Sequence, residues 1–349
     1  MFLIKLYLVK LYYVFTGERV FKYLLSLLLL LPATLLTSVG ATCDSCLDKD
    51  LLRKFLEEQY VEEVGLLRAA TVVYPDNITC YVANDNVLAS RALAVLGSPL
   101  ALKVFEKLNN EFNGGWNGKI DVLFGKTIPN TFYASYNMFI GEVDGYRVVY
   151  EKLNYSQPIH DWYCYADLLV YYALNMLLQG YIQEAEKAFI NLTRMWDGYG
   201  FRDRVYNETK VYSVYKCALF IYLYRALNAV NSEVAYRYKG IHDRCLEVIC
   251  RAHDRVKGGI YTDYTVENGK ITIMGDVNTE TTSIVVLAIY SNYPETIISK
   301  TARTQETLNT KPYTIILLTI LSILAITILK LAYKTSNTTN PSNPKLQEP

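Results

Sequence analysis

The stretch NTETTSIVVLAIYS, residues 278–291, decides the fold of this chain. A polar head, which contains Glu280 and several hydroxyl groups, stands directly before a run that is apolar on every side. A helix without a polar face has to be enclosed by other elements. Asparagine is also a favourable N-cap, so the stretch predicts an enclosed helix that begins after Asn278.

Seven other stretches continue this pattern, and they are of two kinds. The apolar kind is like the first stretch and occupies residues 83–97, 165–180 and 211–227. The amphipathic kind has one apolar stripe opposite charged residues and occupies residues 50–70, 99–112, 182–196 and 238–256. The two kinds alternate along the chain, which predicts a degenerate repeat of helical hairpins with enclosed inner helices and outward-facing outer helices.

Short strands are predicted between the helices. The stretch KGGIYTDYTVENGK, residues 257–270, is typical of a β-hairpin that closes near Asn268-Gly269. Residues 126–160 are rich in aromatic residues and valine, which favours an insertion of short strands. We therefore expect an all-α fold: an α/α toroid, or an open arc of about four helical hairpins, with short β-hairpin insertions and one C-terminal transmembrane helix.

Both ends of the chain carry apolar segments. Residues 23–43 have no charge, follow two basic residues and end in small residues, which is typical of a secretory signal peptide. The signal peptide would cover residues 1–41, with an extended n-region; an uncleaved anchor is the alternative, because the uncharged run is long enough to span a bilayer. Residues 312–330 predict a transmembrane helix, with a buried core helix as the alternative, and the lysines that follow predict a cytoplasmic C-terminus.

These segments predict a single-pass protein of the cell membrane with its main domain outside the cell. Seven cysteines suit an oxidising compartment, and four of the five glycosylation sequons lie in the predicted extracellular domain, at Asn77, Asn154, Asn191 and Asn207. The expected parts are the extracellular domain at 42–293, a stalk at 294–311, the transmembrane helix and a disordered cytoplasmic tail at 331–349.

Charge and motifs exclude several function classes. The formal net charge is +1, and the chain has no block of lysine and arginine of the kind that binds nucleic acid. The sequence has no P-loop and no glycine-rich dinucleotide, nucleophile-elbow or zincin motif. We therefore expect neither nucleic acid nor a nucleotide as a partner, and no cofactor.

The order of these helices and strands resembles that of a known type of fold. Inner helices headed by polar residues, and a GGIYTDY hairpin that leads into NTETTSIVVLAIY, resemble the six-hairpin glycosidase type of α/α toroid. More narrowly, they resemble membrane-anchored surface proteins of thermophilic archaea. The resemblance covers about residues 50–291 and implies a domain that binds or cleaves glycans. The chain departs from the pattern in having four hairpins rather than six, and no catalytic pair aligns residue by residue.

In such a toroid the starts of the inner helices meet at one rim, so polar residues there converge. Glycoside cleavage needs two carboxyl groups, one protonated and one ionised. Asp85 and Glu280 are the preferred pair, and Asp161 and Asp167 are the further catalytic candidates. Candidates for substrate binding at the same rim are Asn84, Asn86, Trp116, Trp162, Tyr165, Lys216 and Asn278.

A structural interpretation of these residues stays open. Asn84, Asp161 and Asn278 are explained equally well as helix N-caps. Asp167 and Lys216 lie one turn inside apolar helices, where a charge is costly unless it is paired, so an ion pair between these two residues is an alternative to a ligand site.

The cysteines allow more than one arrangement. Cys80 and Cys164 are the candidates for a disulfide, with Cys217 left over. The alternative is a zinc site made of these three thiolates and His160, although their spacing matches no compact ligand motif, and we expect no metal. A link from Cys43 or Cys46 to the predicted outer helix that carries Cys245 and Cys250 is a further alternative.

The expected function is therefore a membrane-anchored extracellular domain that binds or cleaves glycans, with glycoside-hydrolase-like acid/base carboxyl groups. The alternative is a non-catalytic cell-surface module that interacts with glycans or envelope proteins. Whether the domain is an enzyme stays open at this point.

Overall fold

The computed structural model describes residues 46–70, 79–143 and 146–291. In it, most of the stretch at 278–291 forms a helix, Thr279–Tyr290. The Asn278 side chain caps this helix by accepting a hydrogen bond from the Thr281 backbone N–H at 2.7 Å. Residues on every side of the helix are buried. The predicted N-cap and the predicted enclosure are therefore both present.

The described helices have the following bounds in chain order. They are α1 Lys49–Gln59, α2 Ala83–Val95, α3 Leu100–Glu111, α4 Ala166–Leu178, α5 Ile182–Thr193, α6 Arg204–Thr209, α7 Val214–Ala229, α8 Glu233–Tyr236, α9 Lys239–Ala252 and α10 Thr279–Tyr290. Short 3₁₀ helices lie at Asn113–Gly115, Ile120–Phe124 and Trp162–Cys164.

Helix packing follows the apolar pattern of the sequence. The apolar helix α10 packs between α2 and α7, and α7 also packs against α4. Each of these inner helices has an amphipathic neighbour: α3 packs on α2, α5 on α4, α9 on α7 and α1 on α10. The spatial order α2–α10–α7–α4 differs from the chain order, because the last helix lies beside the first inner helix.

Strands contribute much more of the structure than the sequence predicted. They are β1 Tyr60–Val61, β2 Leu66–Leu67, β3 Thr79–Val82, β4 Tyr133–Val143, β5 Tyr146–Pro158, β6 Tyr212–Ser213, β7 Ile260–Glu267 and β8 Lys270–Asn278. They form three sheets with the orders β1–β2, β3–β5–β4 and β6–β7–β8. The predicted hairpin near Asn268-Gly269 is the β7–β8 turn, where both residues have positive φ.

The prediction of an all-α fold is wrong. The described residues are 53% helical and 22% strand, so the fold is mixed α/β. The main physical reason is the segment at 126–160, which was expected to add short strands to a helical array. Its aromatic and β-branched residues instead form two long strands, β4 and β5, and β5 also pairs in parallel with β3. This sheet is therefore a part of the fold rather than a decoration on it.

No helix within the described ranges combines the length and the apolar character that a membrane crossing requires. The predicted signal peptide at 1–41, stalk at 294–311, transmembrane helix at 312–330 and tail at 331–349 all lie outside the described residues. Those predictions stay predictions.

The cysteines that form a disulfide in the structure are not the predicted pair Cys80 and Cys164. Cys46 and Cys250 each take part in a disulfide, whereas Cys164 is a free thiol. The predicted bond between Cys80 and Cys164 is therefore not formed. The reason lies in the central sheet: Cys80 pairs in register with Arg147 near the start of β5, and the chain reaches Cys164 only after running the rest of that strand.

The sequon asparagines differ in accessibility. Asn191 on α5 and Asn207 on α6 are exposed. Asn154 on β5 is half-buried, and its side-chain oxygen accepts hydrogen bonds from the backbone N–H and the hydroxyl of Ser156. Asn77 lies outside the described residues.

Candidate functional site

A cavity of about 400 Å³ opens where the first turns of α2 and α10 meet strand β5. Asp85 lies in the first turn of α2, and Glu280 lies in the first turn of α10. Glu151 lines the same cavity from β5. Three carboxyl groups from distant parts of the sequence therefore share one cavity, and all three are half-buried.

Two helix starts bring the first two carboxyl groups together. Helices α2 and α10 are neighbours, so their first turns place Asp85 and Glu280 on the same side of the packed pair. A helix N-terminus presents unpaired N–H groups and partial positive charge, which favours acidic residues there. Local helix chemistry thus explains an acid on each helix, and helix packing explains their convergence.

Burial and mutual repulsion change how these carboxyl groups hold protons. The pKa of Asp85 lies well above its usual value because the group is buried and because Glu280 and Glu151 repel its charge. Burial, with repulsion from Glu151 and Asp167, raises the pKa of Glu280 to about 7. The cavity therefore favours retention of protons near neutral pH, when ordinary carboxyl groups are fully ionised.

Glu151 was missed by the sequence analysis, and two asparagines hold it in place. The Glu151 backbone N–H donates to Asn84 Oδ1 at 2.7 Å, and Asn84 Nδ2 donates to the Glu151 carbonyl at 3.3 Å. Asn117 Nδ2 donates to the Glu151 carboxylate at 2.8 Å. No local pattern marks Glu151, because its strand is brought to the helix starts by tertiary contacts.

Asn84 also ties the cavity to the loop after α3. Its Nδ2 donates to the carbonyl of Gly115 at 2.8 Å. Gly115 has φ of +70°, and a Cβ at this position would meet the side chain of Val87 on α2. Glycine thus allows the loop to approach α2 closely. Asn84 lines the cavity, but its amide is already used to join α2, β5 and this loop.

Asp167 lies close enough to the cavity to affect it, although it is not one of the lining residues. Its charge contributes to the raised pKa of Glu280, and burial raises the pKa of Asp167 itself. The Tyr215 hydroxyl donates to Asp167 Oδ2 at 3.3 Å. Burial and the nearby carboxylates also raise the pKa of Tyr171 well above its usual value. A second layer of polar groups therefore stands next to the cavity.

Lys216, a candidate for substrate binding, forms an ion pair with Asp203. Its Nζ lies 2.7 Å from Asp203 Oδ2, and both side chains are almost completely buried. Asp203 also accepts hydrogen bonds from the backbone N–H groups of Ala166 and Tyr206, so it joins the starts of α4 and α6. The ion pair between Asp167 and Lys216, which was the alternative to a ligand site, is not the one formed. Lys216 is committed to this buried contact rather than to the cavity.

Three other candidates have structural partners outside the cavity. Asp161 forms an ion pair with Arg204. Asn86 is fully buried; its Oδ1 accepts from the Leu67 backbone N–H at 2.7 Å, and its Nδ2 donates to the carbonyls of Leu67 and Val82 at 3.0 Å each. Asn278 caps α10. Asn86 and Asn278 thus complete backbone hydrogen bonding.

The aromatic candidates do not line the cavity either. The ring of Trp116 lies under Lys126 Nζ, with 3.0 Å between the nitrogen and the ring centroid. Trp162 packs on Tyr172 with ring centroids 4.7 Å apart. Tyr165 lies beside the Arg204 guanidinium, 5.9 Å from the ring centroid. These rings therefore contribute packing and cation–π contacts.

The polar lining of the cavity comes from different residues. Asn117, Asn137 and Arg147 line it together with the three carboxyl groups. Within the part of the chain that the structure describes, no group of three or more histidine, cysteine, aspartate or glutamate residues has the arrangement of a metal site.

Comparison of the chain with protein-family models and with curated proteins gave no match. The resemblance to six-hairpin glycosidases therefore stays a prediction.

Proposed function

We propose that the cavity binds a glycan and cleaves a glycosidic bond by acid/base chemistry, with Asp85 and Glu280 as the catalytic pair. The observation that carries this proposal is the convergence of these two half-buried carboxyl groups in one open cavity. Glycoside cleavage requires one carboxyl group that donates a proton to the leaving oxygen and one that acts as base or nucleophile.

The electrostatics of the pair supports these two roles. Ionisation of one carboxyl group makes ionisation of the other more costly, so the two titrate as a unit. With one proton on the pair, the protonated group can donate and the ionised group can activate water or attack the sugar. Glu151, held by Asn117, adds negative charge that keeps this proton on the pair. Glu151 is thus a positioning residue for the proton.

The dimensions and lining of the cavity also fit this substrate class. Its volume of about 400 Å³ lies in the range of small-molecule sites and suits one or two sugar rings. Asn137 and Arg147 offer side-chain groups that suit sugar hydroxyls.

Asp85→Asn and Glu280→Gln variants test the proposal in a screen for reducing ends released from a panel of glycans. Each variant should lose about 10²-fold or more of the wild-type rate, as expected for loss of a general acid or base. Asp161→Asn is the matched control, because Asp161 lies outside the cavity and pairs with Arg204. Full activity in both cavity variants would refute the proposed pair.

Interaction without catalysis is the second candidate function, and an exposed apolar strand favours it. Tyr136, Met138 and Ile140 on β4 are exposed large apolar residues next to the cavity wall. If the wild-type chain shows no measurable cleavage of the glycan panel but binds glycans on an array, this candidate is the better one.

We infer an extracellular setting for the domain. The disulfide-bonded cysteines Cys46 and Cys250 support it, because disulfides persist in oxidising compartments. The exposed sequon asparagines Asn191 and Asn207 are also accessible to a glycosylating enzyme. Attachment to a membrane is part of this proposal, since it depends on segments outside the described residues.

A further inference from the structure

Strand β4 lies at the edge of the sheet β3–β5–β4. Its inner side pairs with β5, and among the described residues no strand pairs with its outer side. An open strand edge presents backbone N–H and carbonyl groups that can pair with another chain. Proteins usually prevent such pairing with charged residues, prolines, bulges or very short edge strands.

The central part of β4 lacks the two residue types that protect a strand edge, charged residues and proline. Residues 133–141, YASYNMFIG, contain neither a charge nor a proline. Tyr136 and Met138 lie on the same face of the strand, and these residues are 48% and 37% exposed. An apolar row on an unprotected edge is typical of a surface that another strand covers.

Bulges also protect strand edges. In β4 they lie at the two ends of the regular segment and leave the residues between them able to pair with another strand. The pairing of β4 with β5 is irregular between Tyr133 and Ser135 and again between Phe139 and Gly141. Between these points, residues 135–139 pair with β5 in unbroken register. The regular segment is centred on Asn137.

We propose that this segment pairs with the same segment of a second copy of the chain, antiparallel and about a two-fold axis at Asn137. A two-fold axis perpendicular to the sheet pairs residues on the same face, so Tyr136 of each copy lies opposite Met138 of the other. The second copy is favoured over another partner because residues 135–139 carry no charge of their own, so Tyr136 and Met138 of the two copies meet without like-charge repulsion. Two Tyr–Met pairs also give each apolar side chain an apolar partner.

This interface has a direct consequence for the cavity. Asn137 lines the cavity wall, on the opposite face of β4 from Tyr136 and Met138. Antiparallel pairing about Asn137 would place Asn137 of the second copy beside it. The second copy thus extends the wall of the cavity by one strand. This interface does not depend on the proposed glycosidase chemistry, and each can fail without the other.

Cysteine cross-linking of the full chain tests both the pairing and its register. An Asn137→Cys variant places the two new thiols directly opposite each other, so mild oxidation should give a product of twice the single-chain mass on a non-reducing gel. A Ser135→Cys variant is the matched control on the same face of the same strand. In the proposed register its two thiols are separated by about 13 Å, at about 3.3 Å per residue, which is too far for a disulfide.

Asn137→Cys should therefore give at least about tenfold more dimer than Ser135→Cys or the wild-type chain, whose own cysteines provide the background. Adding Met138→Lys should reduce the product several-fold, because it places a charge in the apolar row. The circular dichroism spectrum of the Met138→Lys variant should match that of the wild type, which checks that the variant is folded. Equal cross-linking at positions 135 and 137, no product above the wild-type background, or a product with the mass of a different partner would each overturn the proposal.

Discussion

The raised pKa of Glu280 leads to a quantitative prediction about stability. In the folded protein the pKa lies at about 7 because of burial and repulsion from Glu151 and Asp167, compared with an ordinary value of 4.5. At about 1.4 kcal/mol for each pH unit, this difference corresponds to about 3 kcal/mol. The ionised Glu280 side chain therefore destabilises the folded state by about that amount.

The direction of the pKa shift determines the pH range in which the free energy of unfolding changes. Between pH 4.5 and about 7 the folded protein holds a proton on Glu280 that the unfolded chain has already lost. The folded state binds more protons in this window, so the free energy of unfolding falls as pH rises through it. Below pH 4.5 both states are protonated, and this contribution is absent.

A Glu280→Gln variant removes the charge and keeps the shape of the protonated side chain. Its free energy of unfolding should exceed that of the wild type by about 3 kcal/mol at pH 8, and the difference should fall towards zero at pH 4.5. Denaturant titration followed by tryptophan fluorescence at several pH values measures this. Glu267→Gln is the control, because Glu267 is an exposed residue on β7.

The reasoning would be refuted by a Glu280→Gln variant that is no more stable than the wild type at pH 8. Such a result would mean that the Glu280 carboxylate has a compensating partner and does not repel Glu151 and Asp167. A stability gain that is the same at pH 5 and pH 8 would also contradict it, since repulsion requires the ionised form.

Two further predictions concern residues that the structure assigns to packing. Lys216→Met should lower the free energy of unfolding by about 3–5 kcal/mol because it leaves Asp203 buried without its cation. Lys239→Met, at an exposed ion pair, is the control and should leave stability almost unchanged. Asn86→Ala should cost about 2–3 kcal/mol, because it leaves buried backbone groups without hydrogen-bond partners, while the exposed Asn191→Ala should change stability by less than about 0.5 kcal/mol. Denaturant midpoints measure both, and an Asn86→Ala variant with wild-type stability would show that this amide is not structural.

Polar residues at helix starts illustrate the limit of inference from a pattern. Asp85, Glu280 and Asn278 all head apolar helices, but only the two acids line the cavity, whereas the Asn278 side chain is used as a cap. Asn86 lies one residue from Asp85 and faces the backbone of Leu67 instead. Neighbouring positions on a helix point in different directions, so a site residue and a structural residue can be adjacent in sequence.

The buried ion pair shows the same limit for charges. The sequence indicated that Lys216 needs a partner, because a lone buried charge is costly. It did not identify the partner, since two acidic residues are available: Asp167 in the first turn of α4 and Asp203 directly before α6. Asp203 has the closer approach because it also caps α6 and reaches the start of α4.

The sequence by itself determined the inner helices, the cap on α10, the hairpin at Asn268-Gly269 and most of the outer helices. The exception is the stretch 50–70, whose helix ends at Gln59 and whose second half forms β1 and β2. Each of the features that the sequence determined depends on periodicity, capping or turn geometry within about a dozen neighbouring residues, where local physics is decisive. The tertiary structure alone decided that α10 lies beside α2, that β4 and β5 form a sheet with β3, and that Glu151 completes the cavity. These contacts join residues far apart in the chain, and their free energy comes from burial and pairing that no local stretch of sequence contains.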